Sequence, residues 1–524
     1  MVAASELTYD NSASALDMAN EIFGDGVTVV SASYTGDSRS SAIYSDGDSI
    51  APGATPGDTG VILSTGRADR FTNSSGDANQ SNSTTSSSNG PNNNAQFNAA
   101  AGARTYDASY LDVTFVPVNG VMTMQFVFAS EEYPEFTSSV YQDFVGVWVN
   151  GTFVDLAVGN GDTDPGNINT TTNQNLYIDN TNDAVNTEMD GLTITMTLTM
   201  VVNPGVENTI RIGIADVSDS SYDSNLLIAG NSVQTAVVAT GDSTNVYPNG
   251  SKTLDVLAND VSTSTLTITH VNGQEVVLAP DGTFTVVLNT GQTVVLNADG
   301  TLTITGDGDA EDFNFTYTVS DGVNSDTGIV QVTSVPCFVA GTRIRTPEGE
   351  RRVEDLQPGD LVMTRDDGAQ PVRWIGQRAV AAEGELAPVR IKPGAFGNHR
   401  GLSVSPQHRI LLRDSRAELL FGEREVLVAA KDLVNDQTVR RKPGGQVTYV
   451  HLMFDRHQLV FSEGLETESF LPGPQTTSIL DQPVVDEICA IFPELDPLTG
   501  AGYGPTARPT LKRYEAELLA AQGA

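Results

Sequence analysis

Cysteine is rare in this chain of 524 residues, and the first of its two cysteines follows a long region of alternating apolar and polar residues. Cys337 directly follows Pro336, so its thiolate could attack the carbonyl carbon just upstream of its own amide nitrogen. The product would be a thioester, with the acyl group moved from nitrogen to sulfur. Because an amide is more stable than a thioester, the fold must distort the peptide bond or protonate its nitrogen. The alternative for Cys337 is an ordinary buried thiol. We interpret the second cysteine, Cys489 in VVDEICAIFPEL, as a small apolar helix residue.

Three separated stretches in the C-terminal part of the chain resemble one family. In order, they read CFVAGTRIRTPEGERRVEDLQPGDLVMTRDDGAQPVRWIG, GLSVSPQHRILL and YVHLMFDRHQLVFSEGLETESFLPG. They resemble the Hint domain, the self-processing module shared by hedgehog proteins and inteins, and within it the bacterial subgroup called Hint type 2. The resemblance implies a horseshoe-shaped all-β domain, which we place at residues 336–475. A short helical tail is predicted at residues 476–524.

The resemblance implies catalytic roles for side chains beyond Cys337. In the family, the counterpart of His408 contacts the scissile amide nitrogen and acts as a general acid, which is worth about 10²–10⁴-fold in rate. The alternative is a histidine that only caps a strand. Ser405 replaces the usual Thr, and its hydroxyl would hold the amide or its oxyanion. Asp455 and His457 precede an apolar strand. Two alternatives stay open for them: His457 assists the second step, in which the thioester is attacked, or Asp455 and His457 only form a structural pair.

The third stretch departs from the pattern of inteins, and the departure limits the expected chemistry. It continues as Glu468-Ser469-Phe470 and lacks the Asn whose cyclisation frees the C-terminal side of an intein. Splicing is therefore not expected, and the thioester would be attacked by water, an amine or an alcohol. Nothing in the sequence looks like a sterol-recognition region, and no exogenous cofactor is needed for catalysis. We interpret His399 and His451 as structural or surface residues.

Residues 1–235 are predicted to form a β-sandwich-like domain. Alternating segments are separated by turns such as Asn119–Gly120 and Asn150–Gly151, and Ser12 is predicted to cap a short helix in ASALDMANEIF. The stretches FVFASEEYPEFTSSVYQDFVGVWVNG and IGIADVSDSSYDSNLLI resemble the bacterial choice-of-anchor L family. That family occurs on secreted or surface-anchored proteins, so the resemblance implies an extracellular setting.

Four carboxylates of this domain lie close together in the sequence. Glu131, Glu132, Glu135 and Asp143 fall within 13 residues, and a hard cation such as Ca²⁺ prefers that many oxygen ligands. We therefore predict a metal site that includes Glu131, Glu132 and Asp143. The alternative is a solvated acidic loop beside a strand.

Residues 236–335 are predicted to form a second, Ig-like or cadherin-like β-sandwich. Short strands recur at intervals of roughly 8–12 residues with Asp-Gly turns between them. LDVLANDV and YTVSDGVNSDTGIVQV resemble the cadherin-like or VCBS-type modules of bacterial surface proteins. Asp260, Asp312 and Asp321 are candidate Ca²⁺ ligands at the ends of this domain, and ordinary Asp-rich turn chemistry is the alternative.

Charge and composition exclude several classes of protein. The chain has 28 Lys+Arg and 66 Asp+Glu, a net charge of −38, and most of the excess acid precedes Cys337. Such a surface repels phosphate backbones, so no nucleic-acid partner is expected. Two cysteines exclude a disulfide framework, and no apolar run is long enough to span a membrane. The first residues lack the features of a secretory signal peptide, so we expect export by another route.

These features together predict a secreted or cell-surface bacterial protein, all-β and multidomain. The Hint-like domain would cut the Pro336–Cys337 bond and release or transfer the β-rich N-terminal part, with Ca²⁺ stabilising that part. The alternative is a Ca²⁺-binding adhesive or structural protein with an inactive Hint fold and a cell-surface or extracellular-matrix partner. A carbohydrate-binding module lacks support, because the chain has two tryptophans and no aromatic platform.

Overall fold

The computed structural model describes residues 2–137, 139–159, 161–246, 250–307, 313–333, 338–382, 387–421, 423–435, 437–471, 492, 503, 506–511 and 516. Pro336, Cys337, Asp312, Cys489 and most of the predicted helical tail lie outside these residues. Strands account for 42% of the structure and helices for 8%, so the predicted all-β multidomain fold is confirmed. The chain divides into two compact units, which comprise the described residues of 1–242, 253–303 and 313–331, and those of 243–252, 304–312 and 332–524.

The N-terminal part of the first unit contains two antiparallel sheets. The larger has the strand order β1-β3-β4-β13-β6-β10-β9, with β11 also paired to β6, and the smaller has the order β2-β5-β12-β7-β8. Apolar side chains from both sheets form one buried cluster that includes Leu111, Phe126 and Ile212. The strands are β1 (Thr8–Asp10), β2 (Val27–Thr35), β3 (Ser41–Ser45), β4 (Gly60–Ser64), β5 (Thr105–Pro117), β6 (Val121–Ser130), β7 (Phe144–Val149), β8 (Thr152–Phe153), β9 (Tyr177–Asp179), β10 (Gly191–Thr193), β11 (Met196–Val201), β12 (Asn208–Val217) and β13 (Ser224–Ala229).

Three short helices accompany these sheets, α1 (Ala15–Ile22), α2 (Gly47–Ile50) and α3 (Ala95–Ala101). The helix predicted near the start of the chain is present as α1, but its cap is Ser14 and not Ser12. The Ser14 hydroxyl accepts the backbone N–H of Asp17, and the Asp17 carboxylate accepts the backbone N–H of Ser14. This reciprocal capping box satisfies two N–H groups that a helix start leaves free, which fixes the first turn.

A tight contact inside β7 gives a stability prediction. The indole of Trp148 covers Gly146 so closely that a Cβ at Gly146 would lie 2.1 Å from the ring. We expect Gly146→Ala to lower the free energy of unfolding by about 1–3 kcal/mol, because the ring cannot move without disturbing its packing. The matched control is Gly120→Ala, whose Cβ would meet only the carbonyl oxygen of Val202 at 3.8 Å. Denaturant unfolding, followed by Trp148 fluorescence in a Trp374→Phe background, measures both, and equal midpoints would contradict the expectation.

The middle part of the chain forms two further sheets, which fits the predicted sandwich. Their strand orders are β14-β22-β21-β16-β17 and β15-β20-β19-β18. The strands are β14 (Asp242–Asn245), β15 (Ser251–Leu254), β16 (Thr267–Val271), β17 (Gln274–Glu275), β18 (Phe284–Val287), β19 (Thr293–Leu296), β20 (Leu302–Thr305), β21 (Phe313–Ser320) and β22 (Ser325–Thr333).

The C-terminal part of the second unit also contains two sheets and one helix, α4 (Ser415–Phe421). One sheet has the order β28-β34-β23-β30-β29-β33, and the other has β25-β24-β35-β36-β31-β32, with β26 on β35 and β27 on β26. The strands are β23 (Phe338–Val339), β24 (Arg343–Thr346), β25 (Gly349–Arg352), β26 (Leu361–Thr364), β27 (Gly368–Pro371), β28 (Trp374–Ala381), β29 (Val389–Ile391), β30 (Leu402–Val404), β31 (Arg409–Arg413), β32 (Glu425–Ala429), β33 (Val439–Arg441), β34 (Gln446–Met453), β35 (Leu459–Ser462) and β36 (Leu465–Glu468).

Candidate functional site

The site is built where the first strand of the C-terminal region meets a sharp turn. β23 begins at Phe338, which pairs with Val404 at the end of β30 and with Val450 in β34. The chain leaves β30 through the segment from Ser405 to His408 and then enters β31. Sheet pairing therefore brings the residue after Cys337 next to the segment that carries Ser405 and His408.

His408 is the most unusual side chain in this region. Its residue is 1% exposed, and neither ring nitrogen has a hydrogen-bond partner among the described residues. The imidazole packs edge-on against the Phe338 ring, with centroids 4.4 Å apart and planes at 61°. Burial lowers the pKa of His408 to about 4, although the negative charge of Glu468 opposes the shift. At neutral pH the ring is therefore uncharged, with one nitrogen able to accept a proton and the other able to donate one.

The backbone around His408 is held on both sides. Its N–H donates to the carbonyl of Ser405 at 3.1 Å, and its own carbonyl accepts the N–H of Ala430 at 3.0 Å. Ser405 is 4% exposed, so its hydroxyl is buried in the same turn. These contacts fix the spacing of Ser405 and His408, the two side chains that the sequence predicts to act on one peptide bond.

His457 lies in a buried cluster with Glu468. Its Nε2 is 3.3 Å from Oε2 of Glu468 and 3.2 Å from the carbonyl oxygen of Ser469. Its Nδ1 accepts the backbone N–H of Ala507 at 2.9 Å. Since Nδ1 acts as an acceptor, the Nε2 atom carries the proton and donates it. Sequence reasoning missed the roles of Glu468 and Ala507, because neither lies near His457 in the chain.

Over the residues that the structure describes, Asp455 and His457 have different partners. The carboxylate of Asp455 forms two hydrogen bonds with Arg373, at 2.7 Å and 2.8 Å, and its side chain is 54% exposed. The residue therefore forms a surface ion pair, and its catalytic role stays a prediction. The structural role expected of His399 has local support, because its Nδ1 contacts the carbonyl of Arg400 and its Nε2 accepts the N–H of Phe396.

The predicted metal ligands of the N-terminal part occupy buried positions. Glu131 is 0% exposed, and both of its carboxylate oxygens lack a hydrogen-bond partner among the described residues. Burial, reinforced by the nearby Asp190 and Asp223, raises the pKa of Glu131 to about 9. Burial and the adjacent Asp143 raise the pKa of Glu132 to about 10.

Strand pairing explains why the carboxylates of Asp190, Glu131 and Asp223 repel one another. Ser130 pairs with Gly191 on one side and with Ser224 on the other. One residue further along, Glu131 lies between Asp190 and Asp223, which are also buried. Like charges directly opposite each other destabilise a sheet. The flanking carboxylates accept hydrogen bonds from neutral groups, Asp190 from the Asn79 amide and Asp223 from the Ser86 backbone N–H. The ion pairs in the described part of this domain involve other acids, namely Asp37, Asp69 and Asp112.

The two candidate ligands of the middle part have protein partners. The carboxylate of Asp260 accepts the Tyr317 hydroxyl at 3.0 Å, and that of Asp321 accepts the N–H groups of Val323 and Asn324 within an exposed turn. The Asp321 arrangement is typical of the turn chemistry that the sequence left open, whereas Asp260 contacts a residue 57 positions away in the chain. Within the described part of the chain, no group of three or more His, Cys, Asp or Glu is arranged to hold a metal ion.

The fold and this site together define an all-β multidomain protein with a Hint-type domain in its C-terminal part. Residues 336–474 match the family model of the Hint domain, residues 7–234 that of the choice-of-anchor L domain, and residues 234–333 that of a bacterial Ig domain. The predicted resemblances are thereby confirmed. No curated protein matches the chain. Over the described residues, no helix is both long and apolar enough to cross a bilayer.

Solved structures similar to the chain include two inteins and a cell adhesion molecule. The gp41-1 intein is 12% identical, with 26% of this chain and 98% of the intein covered and a TM-score of 0.17. The MchDnaB-1 intein is 14% identical, with coverages of 25% and 98% and a TM-score of 0.17. The N-terminal eight Ig domains of Down syndrome cell adhesion molecule are 10% identical, with coverages of 57% and 31% and a TM-score of 0.14. Likenesses this weak support no assignment of activity.

Proposed function

We propose that the Hint-type domain cuts its own chain at the Pro336–Cys337 bond by an acyl shift. The observation that carries the proposal is the buried imidazole of His408, which packs on Phe338, the residue that follows Cys337. Neither of its nitrogens has a hydrogen-bond partner in the part of the chain that the structure describes. A buried histidine without hydrogen bonds is costly for stability, so its presence is best explained by a chemical task.

The proposed reaction moves one proton and one acyl group. The neutral imidazole of His408 takes the proton of the Cys337 thiol, and the sulfur attacks the carbonyl carbon of Pro336. The bond from that carbon to the Cys337 nitrogen breaks, and the imidazolium returns the proton to the leaving nitrogen. Ser405 holds the oxyanion that forms in between. Water, an amine or an alcohol then attacks the thioester, releases the Cys337 thiol and takes the acyl group.

Incubation of the purified chain with dithiothreitol tests the proposal, because a small thiol can replace the natural acceptor. We expect two fragments, residues 1–336 and 337–524, from the wild-type chain and an intact chain from Cys337→Ala. The matched control is Cys489→Ala, which removes the other cysteine and should cleave like the wild type. A wild-type chain that stays whole with thiol at several pH values would contradict the proposal and favour an inactive Hint fold.

We also propose that the N-terminal domain binds Ca²⁺ at Glu131 and that the protein works at the cell surface, where Ca²⁺ is abundant. The supporting observation is the buried row of Asp190, Glu131 and Asp223, in which neither carboxylate oxygen of Glu131 has a hydrogen-bond partner among the residues that the structure describes. A divalent cation would offset the mutual repulsion of these carboxylates. Because the oxygens do not already surround one point, binding would draw them together. The choice-of-anchor L match supports the location.

A further inference from the structure

Glu468 is a buried carboxylate that takes no direct part in the proposed acyl shift. It ends β36, which lies between β35 and β31 in the larger sheet of the Hint-type domain. The residue is 0% exposed, and a charge buried this deeply is retained only with strong partners. The contacts of Glu468 with its neighbours therefore indicate its role.

Glu468 holds the backbone that carries His408. One carboxylate oxygen accepts the backbone N–H of Arg409 at 2.8 Å, and the other accepts a guanidinium N–H of Arg409 at 3.1 Å. Arg409 directly follows His408 at the start of β31. Any movement of the Glu468 carboxylate is therefore passed to the peptide unit that positions the imidazole.

Glu468 also remains charged. Burial alone would raise the pKa of its carboxyl, but Arg409 and the hydrogen bond from His457 outweigh burial and lower the pKa below its usual range. His457 can give that hydrogen bond because the Ala507 N–H occupies its Nδ1 and leaves the proton on Nε2. The Hint-type domain thus keeps a fixed negative charge in its interior.

Of the four charged or titratable described residues with the largest electrostatic effects on His408, Glu468 is the anion. His451 from β34, Arg409 from the position directly after His408 and His457 from the segment before β35 all disfavour a positive charge on His408. Glu468 from β36 is the group that favours it. In the acyl shift, His408 becomes positively charged between accepting the thiol proton and releasing it.

We propose that Glu468 is a positioning residue of the processing reaction, which fixes the start of β31 directly after His408 and stabilises the transient imidazolium with its charge. The inference rests on the proposed function for its role in cleavage, but its electrostatic part can be measured without cleavage. His457 and Ala507 complete the arrangement by holding Glu468 in place.

The test compares Glu468→Gln, which keeps the shape and removes the charge, with Glu466→Gln. Glu466 lies two residues earlier on β36 and pairs with Arg365 and Arg413 away from His408. In a Cys337→Ala chain that cannot cleave, carbon-13 NMR of the imidazoles follows the titration of His408. We expect Glu468→Gln to lower its midpoint by about one pH unit or more and Glu466→Gln to leave it unchanged. An unchanged midpoint in Glu468→Gln overturns the inference.

Cleavage supplies the second readout. In chains with Cys337, Glu468→Gln should slow thiol-induced cleavage about tenfold or more, while Glu466→Gln stays within about twofold. Equal rates in the two variants overturn the inference even when the wild type cleaves. A wild-type chain that does not cleave refutes the proposed function, and the titration still decides the charge effect. If Glu468→Gln does not fold, Arg409→Met is used in its place. Removing the Arg409 cation should raise the titration midpoint of His408, and an unchanged midpoint overturns the inference.

Discussion

His408→Ala is expected to slow thiol-induced cleavage by about 10²–10⁴-fold, the usual contribution of a positioned acid–base group. Without the imidazole, the proposed reaction loses the group that takes the thiol proton and returns it to the leaving nitrogen. The rate is followed by the appearance of residues 337–524 on gels and by mass spectrometry.

His399→Ala is the matched control for this prediction. His399 is nearly as buried, at 8% exposed, but both of its ring nitrogens have backbone partners within its own loop. We expect its removal to change the rate by only about twofold, because no proton transfer depends on it. His408→Ala also removes a ring that packs on Phe338, so both variants are assayed below their measured unfolding temperatures. Equal rates for the two variants would contradict the role given to His408.

The second large effect concerns the buried row around Glu131, whose folded-state pKa of about 9 lies well above that of an exposed glutamate. The folded chain then binds more protons than the unfolded chain between about pH 4.5 and 9, so stability is lost as the pH rises through this range. In the presence of EDTA, we expect the unfolding temperature of the N-terminal domain to fall between about pH 5 and 8. Glu131→Gln should flatten that dependence and raise the free energy of unfolding at the higher pH by a few kcal/mol, on the order set by the shift.

Calcium separates cation binding from simple protonation. We expect Ca²⁺ to raise the unfolding temperature of the wild-type domain at about pH 8, where the carboxyls must be charged to bind it, and to have no effect on Glu131→Gln. The matched control is Glu135→Gln, an exposed acid of the same stretch, which should respond like the wild type. Calorimetry with and without Ca²⁺ measures the difference. An unfolding temperature of the wild-type domain that does not change with Ca²⁺ would contradict the cation site. An unfolding temperature that rises with pH in EDTA would contradict buried, protonated carboxyls.

Local patterns predicted the strands well but could not predict which strands share a sheet. Asn150–Gly151 joins β7 and β8, which pair as a hairpin, and both turn residues have the positive φ that such a turn requires. Asn119–Gly120 looks the same in sequence but joins β5 and β6, which lie in different sheets. The difference is set by partners far along the chain, and no local period records it.

Contacts between residues far apart in the chain also explain which part of the site the sequence predicted and which part it missed. Ser405 and His408 lie three positions apart in one recognisable stretch, so their spacing could be read from the sequence. Glu468 reaches Arg409 only through the pairing of β36 with β31, across 59 positions in the chain. Asp455 was grouped with His457 because they are near in sequence, but in this turn one side chain faces Arg373 at the surface and the other faces the interior.

The most direct measurement of the central claim is the intact mass of the N-terminal product formed when the wild-type chain is incubated with hydroxylamine. This nucleophile attacks a thioester far faster than an amide. The acyl shift at Cys337 predicts a product that ends at Pro336 and carries a hydroxamate on its terminal carbonyl, absent from the Cys337→Ala chain. A chain that remains intact, a product that ends at another residue, or the same hydroxamate from Cys337→Ala would contradict it.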